Sequence, residues 1–275
     1  MKDSLPPDQK LASLDSLLRG YAGGLLAFSG GVDSSFLLKA MLMADMRVLA
    51  VTAVSETMPR QDREDAVSFA RALGADHLVI HTSELQNEAF ARNAPDRCFH
   101  CKDELFGRLK AIAAERNMPA VFDGSNHDDL ADYRPGRRAA EGHGIISPLA
   151  ECGMTKEDIR LLSRQLGLKT WDRPSSPCLS SRFPYGTRIT SGALARVGRA
   201  EDLMRGLGIR VLRVRDDGGT ARIEVEEKDM PLLLAAENRR LIIEGLRALG
   251  YRFVALDLEG YRSGSLNRML QDGKS

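Results

Sequence analysis

The stretch LLAFSGGVDSSFLLKA, Leu25 to Ala40, sets four apolar residues before Ser29, Gly30 and Gly31, follows the glycines with Asp33 and two more serines, and then resumes an apolar pattern. The apolar run ended by glycines reads as a buried strand, and Phe36, Leu37 and Ala40 are spaced for one face of a helix. A strand that feeds a glycine-rich turn into a helix N-terminus turns unpaired backbone N–H groups and the positive end of the helix dipole toward an anion. Gly30 and Gly31 let the backbone come close, and Ser29 and Ser34 add hydroxyl donors. The stretch therefore reads as a phosphate cradle. It is not a Walker A loop, because no Gly-Lys-Ser/Thr follows, and it lacks the GxGxxG spacing of a dinucleotide fold.

Around this loop, strand and helix patterns alternate. A helix over Asp8 to Arg19 precedes the strand Leu25–Phe28, and a helix from about Ser34 to Ala44 follows it. Buried strands are predicted at Arg47–Val54 and at DHLVIHT, with a helix between them that stops at Gly74. CKDELFGRLKAIAAERN predicts a further helix, PAVFDGSN a fourth strand, and GIISPL a short fifth. In MTKEDIRLLSRQLGL, Thr155 and Asp158 stand at N-cap and N3. The alternation predicts an α/β fold, a doubly wound parallel sheet with ligands at the carboxyl ends of its strands. The segment WDRPSSPCLSSRFPYGTRIT breaks the pattern, and long irregular connections of this kind tend to be functional. Beyond it a helix, two short strands around Asp217-Gly218-Gly219, a helix from about Pro231 to Leu249 and a last strand predict a smaller α+β domain. The expected division is 1–173, a connection 174–190, and 191–275.

Composition bounds the function. The chain has 275 residues with Lys+Arg 39 against Asp+Glu 38, a net charge of +1, so no basic field calls for a nucleic-acid partner. No run approaches the ~20 apolar residues of a membrane span, and the N-terminal stretch has no apolar signal core. A cytoplasmic protein with a small-molecule partner, assembled as a homo-oligomer, is the expectation. Four cysteines, Cys98, Cys101, Cys152 and Cys178, do not make a disulfide framework in a chain this long.

Two further groups carry chemistry. DGSNHDDLADYRPGR gathers Asp123, Asp128, Asp129 and Asp132 with Asn126 and Arg134 just after the fourth strand. Carboxylates beside phosphates are how proteins hold Mg²⁺ without a dedicated cage, whereas alone the loop would read as solvated Asx turns. DRCFHCK places Cys98 and Cys101 at a helix start, where thiolates are favoured, and SSPCLSSR isolates Cys178. By spacing alone a single CxxC is half a zinc site, a redox pair or part of an iron–sulfur site. Cys152 lacks such company and reads as structural.

The loop Ser29–Ser34 resembles the PP-loop of the N-type ATP pyrophosphatases, which split ATP between its α and β phosphates. Together with RCFHCK, GSNHDDLADYRPG, PSSPCLSSRFPYGTRIT and ARIEVE, it makes nearly the whole chain similar to the LarE family of ATP-dependent pyridinium-biscarboxylate sulfur transferases. PCLSSRFPYGTRIT is the most specific of these motifs. The resemblance implies a role in building the nickel-pincer nucleotide, with pyridinium-3,5-biscarboxylic acid mononucleotide as substrate and ATP and Mg²⁺ as cofactors. It implies ATP contacts at Ser29, Gly30, Gly31, Asp33, Ser34, Gly124, Asn126, Asp128 and Arg134, and Mg²⁺ at Asp33 and Asp129. Cys178 matches the sulfur-bearing cysteine. Some family members sacrifice it and are left with dehydroalanine. Others also have a CxxC pair, and by resemblance Cys98, Cys101 and Cys178 would hold a [4Fe–4S] cluster whose fourth iron carries sulfide. Arg182, Glu201, Arg213 and Arg215 fall where the family binds substrate, and arginine suits a phosphate by its fork geometry. The competing assignments are the sacrificial version of the same reaction, a tRNA thiolation enzyme, an ammonia-using synthetase, and an ATP-binding module without turnover.

Overall fold

The computed structural model describes residues 5–130 and 135–262. In chain order the elements are α1 (Pro7–Leu18), β1 (Gly23–Ala27), α2 (Val32–Met43), β2 (Arg47–Val54), α3 (Arg60–Ala72), β3 (Asp76–His81), α4 (Glu88–Ala91), α5 (Arg97–Glu115), β4 (Val121–Phe122), α6 (Pro135–Gly142), α7 (Pro148–Glu151) and α8 (Lys156–Gln165). They continue with α9 (Ser191–Gly206), β5 (Leu212–Asp217), β6 (Thr220–Val225), α10 (Met230–Leu234), α11 (Ala236–Ala248) and β7 (Phe253–Leu256). The chain divides into two units, one holding the residues up to Glu84 together with Asp96–Ser176, the other Leu85–Pro95 and the chain from Pro177 onward.

In the first unit four parallel strands lie in the order β3-β2-β1-β4. β1 alternates between two cores, as a strand covered on both faces must. Leu25 packs with Val51, Phe106, Leu109 and Val121. Leu26 packs on the other side with Phe36, Leu37, Met41 and Leu149. Burial of each is worth roughly 1.5–3 kcal/mol. Gly74 ends α3 at φ +70 as expected. Other boundaries shift. α2 begins at Val32, two residues before the expected start, and α5 begins at Arg97, so both cysteines of the CxxC lie inside it. The expected fifth strand is reduced to one parallel bridge, Phe122 to Ile146, because Pro148 opens α7 at once.

The second unit sets an antiparallel β5–β6 pair and a parallel β6–β7 pair in one three-stranded sheet, packed on α9 and α11 through Met204, Val214, Ile223, Val225 and Leu246. The expected single helix from Pro231 is broken at Ala235, which is extended at φ −54 and ψ 134. Leu85–Pro95 joins this unit through backbone bonds from Ile189 N to Ala91 O at 2.8 Å and from Gly186 N to Asn93 O at 3.0 Å. Asn93, fully buried in the left-handed region at φ 56, donates its side-chain amide to Pro184 O at 2.8 Å. Among the described residues no helix is long and apolar enough to cross a membrane.

The capping box of α8 is present as the sequence indicates: the Thr155 hydroxyl accepts from Asp158 N and the Asp158 carboxylate from Thr155 N. Asp158 also receives buried Lys10 Nζ at 2.7 Å, fastening α1 to α8. Burial alone would raise the Asp158 pKa, but bonds from Lys10 and Thr155 outweigh it and hold the group below its usual 3.8. A depressed carboxyl stabilises the fold fully above the unfolded pKa and loses that contribution as pH falls through the folded value. Asp158→Ala should therefore cost about 3–5 kcal/mol in urea unfolding at pH 7, chiefly by stranding Lys10, and the gap from wild type should close as pH is lowered below the ordinary carboxylate range.

Candidate active site

The loop after β1 is shaped by local sterics. Gly30 sits at φ +70, and a Cβ there would lie 2.7 Å from Ala66 Cα, so both its conformation and its neighbour demand glycine. Gly31 is the extended N-cap of α2, with no side-chain cap on the helix amides. Ser29 Oγ accepts from Gly31 N at 3.3 Å and lies 3.1 Å from Ser34 Oγ, so the two predicted hydroxyls brace the turn they line.

The order β3-β2-β1-β4 reverses direction at β1, and the loops after β1 and β4 leave that switch point side by side. A Cβ on Gly124 would meet Ser34 N at 3.0 Å, so the second loop packs directly on the start of α2. Asp123 is committed to the turn, accepting from Ser125 Oγ and Ser147 Oγ, both at 2.7 Å. Asn126 Oδ1 accepts from Asp128 N at 2.9 Å, and Asp129 Oδ2 accepts from Asn126 N at 3.0 Å. Asp132 and Arg134 lie outside the described residues.

Lys156 joins the two loops, and sequence reasoning had assigned it no role. Its backbone N–H donates to Asp128 Oδ2 at 2.8 Å and its Nζ to Asp33 Oδ2 at 2.6 Å. One signal was available: a lysine in the first position of a helix opposes the helix dipole, so its cost requires a reason. Asp33 Oδ1 is buried with no hydrogen-bond partner. An orphaned carboxylate oxygen beside a phosphate-type loop is a fitting ligand for a hard cation such as Mg²⁺, and the Asp129 carboxylate has the same donor chemistry. Among the described residues no three His, Cys, Asp or Glu side chains gather as a ready metal site.

Cys98 and Cys101 occupy the first two turns of α5, three residues apart and hence on one face, Cys98 exposed and Cys101 half-buried. On the same helix, Lys102 lies 5.1 Å from the Phe106 ring, and Arg138 of α6 lies 5.4 Å from that of Phe99. Cys152 is 2% exposed in the core. Half-buried Cys178 caps a 3₁₀ turn, Leu179–Arg182, and its carbonyl accepts from Ser181 N at 3.0 Å and Arg182 Nη1 at 3.3 Å. The thiols of Cys98 and Cys101 have the donor chemistry of iron–sulfur ligands.

In the second unit Arg182, Glu201, Arg213 and Arg215 are all buried, and β5, which carries the last two, is buried on both faces. Arg182 meets Glu201 in a two-pronged pair at 2.7 and 3.0 Å. Glu201 also accepts from Val214 N at 3.2 Å and Arg205 Nη2 at 2.9 Å. Burial pushes the Glu201 pKa up, but the guanidiniums of Arg182, then Arg205 and Arg213, together outweigh it and hold the carboxyl below the usual range. Arg215 pairs with Glu224 through two bonds of 2.9 Å and reaches Ser181 O at 2.6 Å. Arg213 donates to Leu212 O at 2.7 Å and lies over the Tyr261 ring; burial, then the Arg182 charge, lowers its pKa to about 10. Arg188, outside this network, is held by Glu88 at 2.6 and 2.8 Å.

No protein-family model matches the chain. It is 41% identical over 264 residues to an uncharacterized protein of Synechocystis, covering 96% of this chain and 98% of that one. It is 38% identical over 263 residues to the pyridinium-3,5-bisthiocarboxylic acid mononucleotide synthase of Lactiplantibacillus plantarum, covering 95% of each. A more distant similarity, 27% over 182 residues, links 61% of the chain to 65% of an NH(3)-dependent NAD(+) synthetase of Hyperthermus butylicus.

The buried pairs make a direct prediction. Glu201→Ala leaves Arg182 buried without its carboxylate and should lower unfolding stability by about 3–5 kcal/mol, read by denaturant melts of the second unit's transition.

Proposed function

The chain belongs to the LarE family of pyridinium-biscarboxylate sulfur transferases, and we propose that it converts a carboxylate of pyridinium-3,5-biscarboxylic acid mononucleotide to a thiocarboxylate at the expense of ATP. The observation that carries the ATP part is the pair of loops at the switch point, with the α2 amides uncapped by side chains and Asp33 joined to Asp128 through Lys156.

A carboxylate oxygen is a poor leaving group, so activation must precede sulfur. The substrate oxygen attacks the α-phosphorus of ATP, the bond to the bridging oxygen breaks, and diphosphate leaves. Ser29, Gly30, Gly31 and Ser34 hold phosphate oxygens through N–H and O–H donors, aided by Gly124, Asn126 and Asp128. Asp33 and Asp129 would hold Mg²⁺, which when bound neutralises charge on the departing diphosphate. Lys156 adds an ammonium next to Asp33, able to turn to the same oxygens. A sulfur nucleophile then attacks the acyl carbon, the acyl C–O bond breaks, and AMP departs with the electron pair. In the second unit Arg213 and Arg215, steadied by Glu224 and the Arg182–Glu201 pair, bind the mononucleotide phosphate. Arg213 remains cationic at neutral pH even with its pKa lowered to about 10.

The sulfur nucleophile is sulfide held beside Cys178. Cys98, Cys101 and Cys178 would hold a [4Fe–4S] cluster, which when bound supplies an iron open to sulfide, so that the cysteine itself survives turnover.

Asp33→Ala should abolish AMP formation from ATP and substrate while leaving the melting curve near wild type; AMP release at the wild-type rate would refute the loop assignment. Protein purified without oxygen should contain about four irons per chain and turn over repeatedly with added sulfide. Single turnover with loss of the mass of H₂S at Cys178, and full activity in Cys98→Ala and Cys101→Ala, would establish the sacrificial reaction instead.

A further inference from the structure

Between α8 and Cys178 the chain is tied down by one side chain that the chemistry above does not use. Arg173 is largely buried, its side chain 14% exposed, and lies over the Phe69 ring at 5.5 Å. Its Nη1 donates to Gly30 O at 3.2 Å. Its Nη2 donates to Asp62 Oδ1 at 2.8 Å and lies 2.9 Å from Asp65 Oδ2. Asp62 also takes Ser176 Oγ on its other oxygen at 2.6 Å. From behind, Arg160 donates to the carbonyls of Trp171 and Arg173 at 2.7 and 2.8 Å, and Arg164 stacks on Trp171 at 5.1 Å. Gly30 is the residue whose left-handed φ shapes the phosphate loop. Ser176 precedes Cys178 by two residues, so chain geometry keeps their α carbons within about 7 Å of each other.

We propose that Arg173 is a positioning residue which sets the segment leading to Cys178 by direct reference to the phosphate loop. A guanidinium fixed by two carboxylates and a ring has one orientation, and in that orientation its remaining N–H finds the Gly30 carbonyl. Asp62 relays the same reference to Ser176. An ordinary structural ion pair would need neither a bond to the loop glycine nor a second bond onto the segment it precedes. The consequence concerns fidelity. An acyl-adenylate that is not met by sulfur is lost to water, so the placement of the sulfur-bearing segment decides how much thiocarboxylate each AMP yields. The proposal rests on the adenylylation reading given above.

The test is the ratio of thiocarboxylate to AMP, measured together on the full-length enzyme with ATP, Mg²⁺ and pyridinium-3,5-biscarboxylic acid mononucleotide. Arg173→Gln should lower that ratio about tenfold, because a displacement on the order of 1 Å is enough to cost that much or more. Arg173→Lys, which keeps the charge but not the fork, should fall between. Ser176→Ala, an exposed change that removes only the relay bond, should lower the ratio about threefold without altering the melting curve, and it decides the matter should Arg173→Gln fail to fold. A general loss of stability would reduce both products together and leave the ratio unchanged. An unchanged ratio in these variants, with an active wild type, overturns the proposal alone. A wild-type enzyme that makes no AMP overturns the adenylylation reading and the proposal with it.

Discussion

Everything in the first unit depends on a reversal in strand order. Because β1 has β2 on one side and β4 on the other, two loops with no sequence proximity, Ser29–Gly31 and Asp123–Asn126, emerge together at the head of α2. The unsatisfied amides of a helix start need partners. Here the N-cap, Gly31, offers no side chain to them, the surrounding serines are tied to each other, and the Asp33 carboxylate is shared with a lysine from a third element. Such an arrangement keeps a pre-formed set of donors and acceptors without filling it with the protein's own groups. That is what the proposed nucleotide cradle requires, and on that proposal the lysine at a helix start and the unpartnered carboxylate oxygen both have a use.

The second unit follows a different logic. Its core holds Arg182, Glu201, Arg215 and Glu224 among Val214, Ile223 and Met204. Buried ion pairs seldom stabilise a fold more than apolar residues of like size would, so their presence asks for another reason. One is geometric: Arg182 connects the Cys178 carbonyl to Glu201 on α9, and Arg215 connects Ser181 to Glu224 on β6, so the turn that bears the cysteine is held to rigid elements on both sides.

Much of this was legible in the sequence, and the reasons for the rest are specific. The glycine turn after β1, the capping box at Thr155 and Asp158, and the alternation of strand and helix each rest on local chemistry that a short window contains. The bridge that replaces a fifth strand was misread because GIISPL is apolar enough for a strand, yet Pro148 commits the next residues to a helix. α5 began earlier than expected because Arg97 and Cys98 have no start signal of their own. Lys156 was passed over because its partners, Asp33 and Asp128, are remote in sequence and meet only through the sheet. The arginines of β5 were placed on a strand correctly, but a period-two pattern cannot reveal that both faces are covered.

The excursion of Leu85–Pro95 into the second unit has a bearing on how this protein can be divided, by experiment or by evolution. The chain passes from one unit to the other after Glu84, returns after Pro95, and leaves again after Ser176. A fragment beginning at Pro177 would lack Ala91 and Asn93, whose backbone and side chain support Gly186, Ile189 and Pro184, and a fragment ending at Ser176 would retain an eleven-residue loop stripped of its partners. The two units are interleaved rather than strung in series. Neither can be exchanged as a cassette by a single crossover, and during synthesis the strap of the second unit emerges before the first is complete and must wait for the residues it will hold.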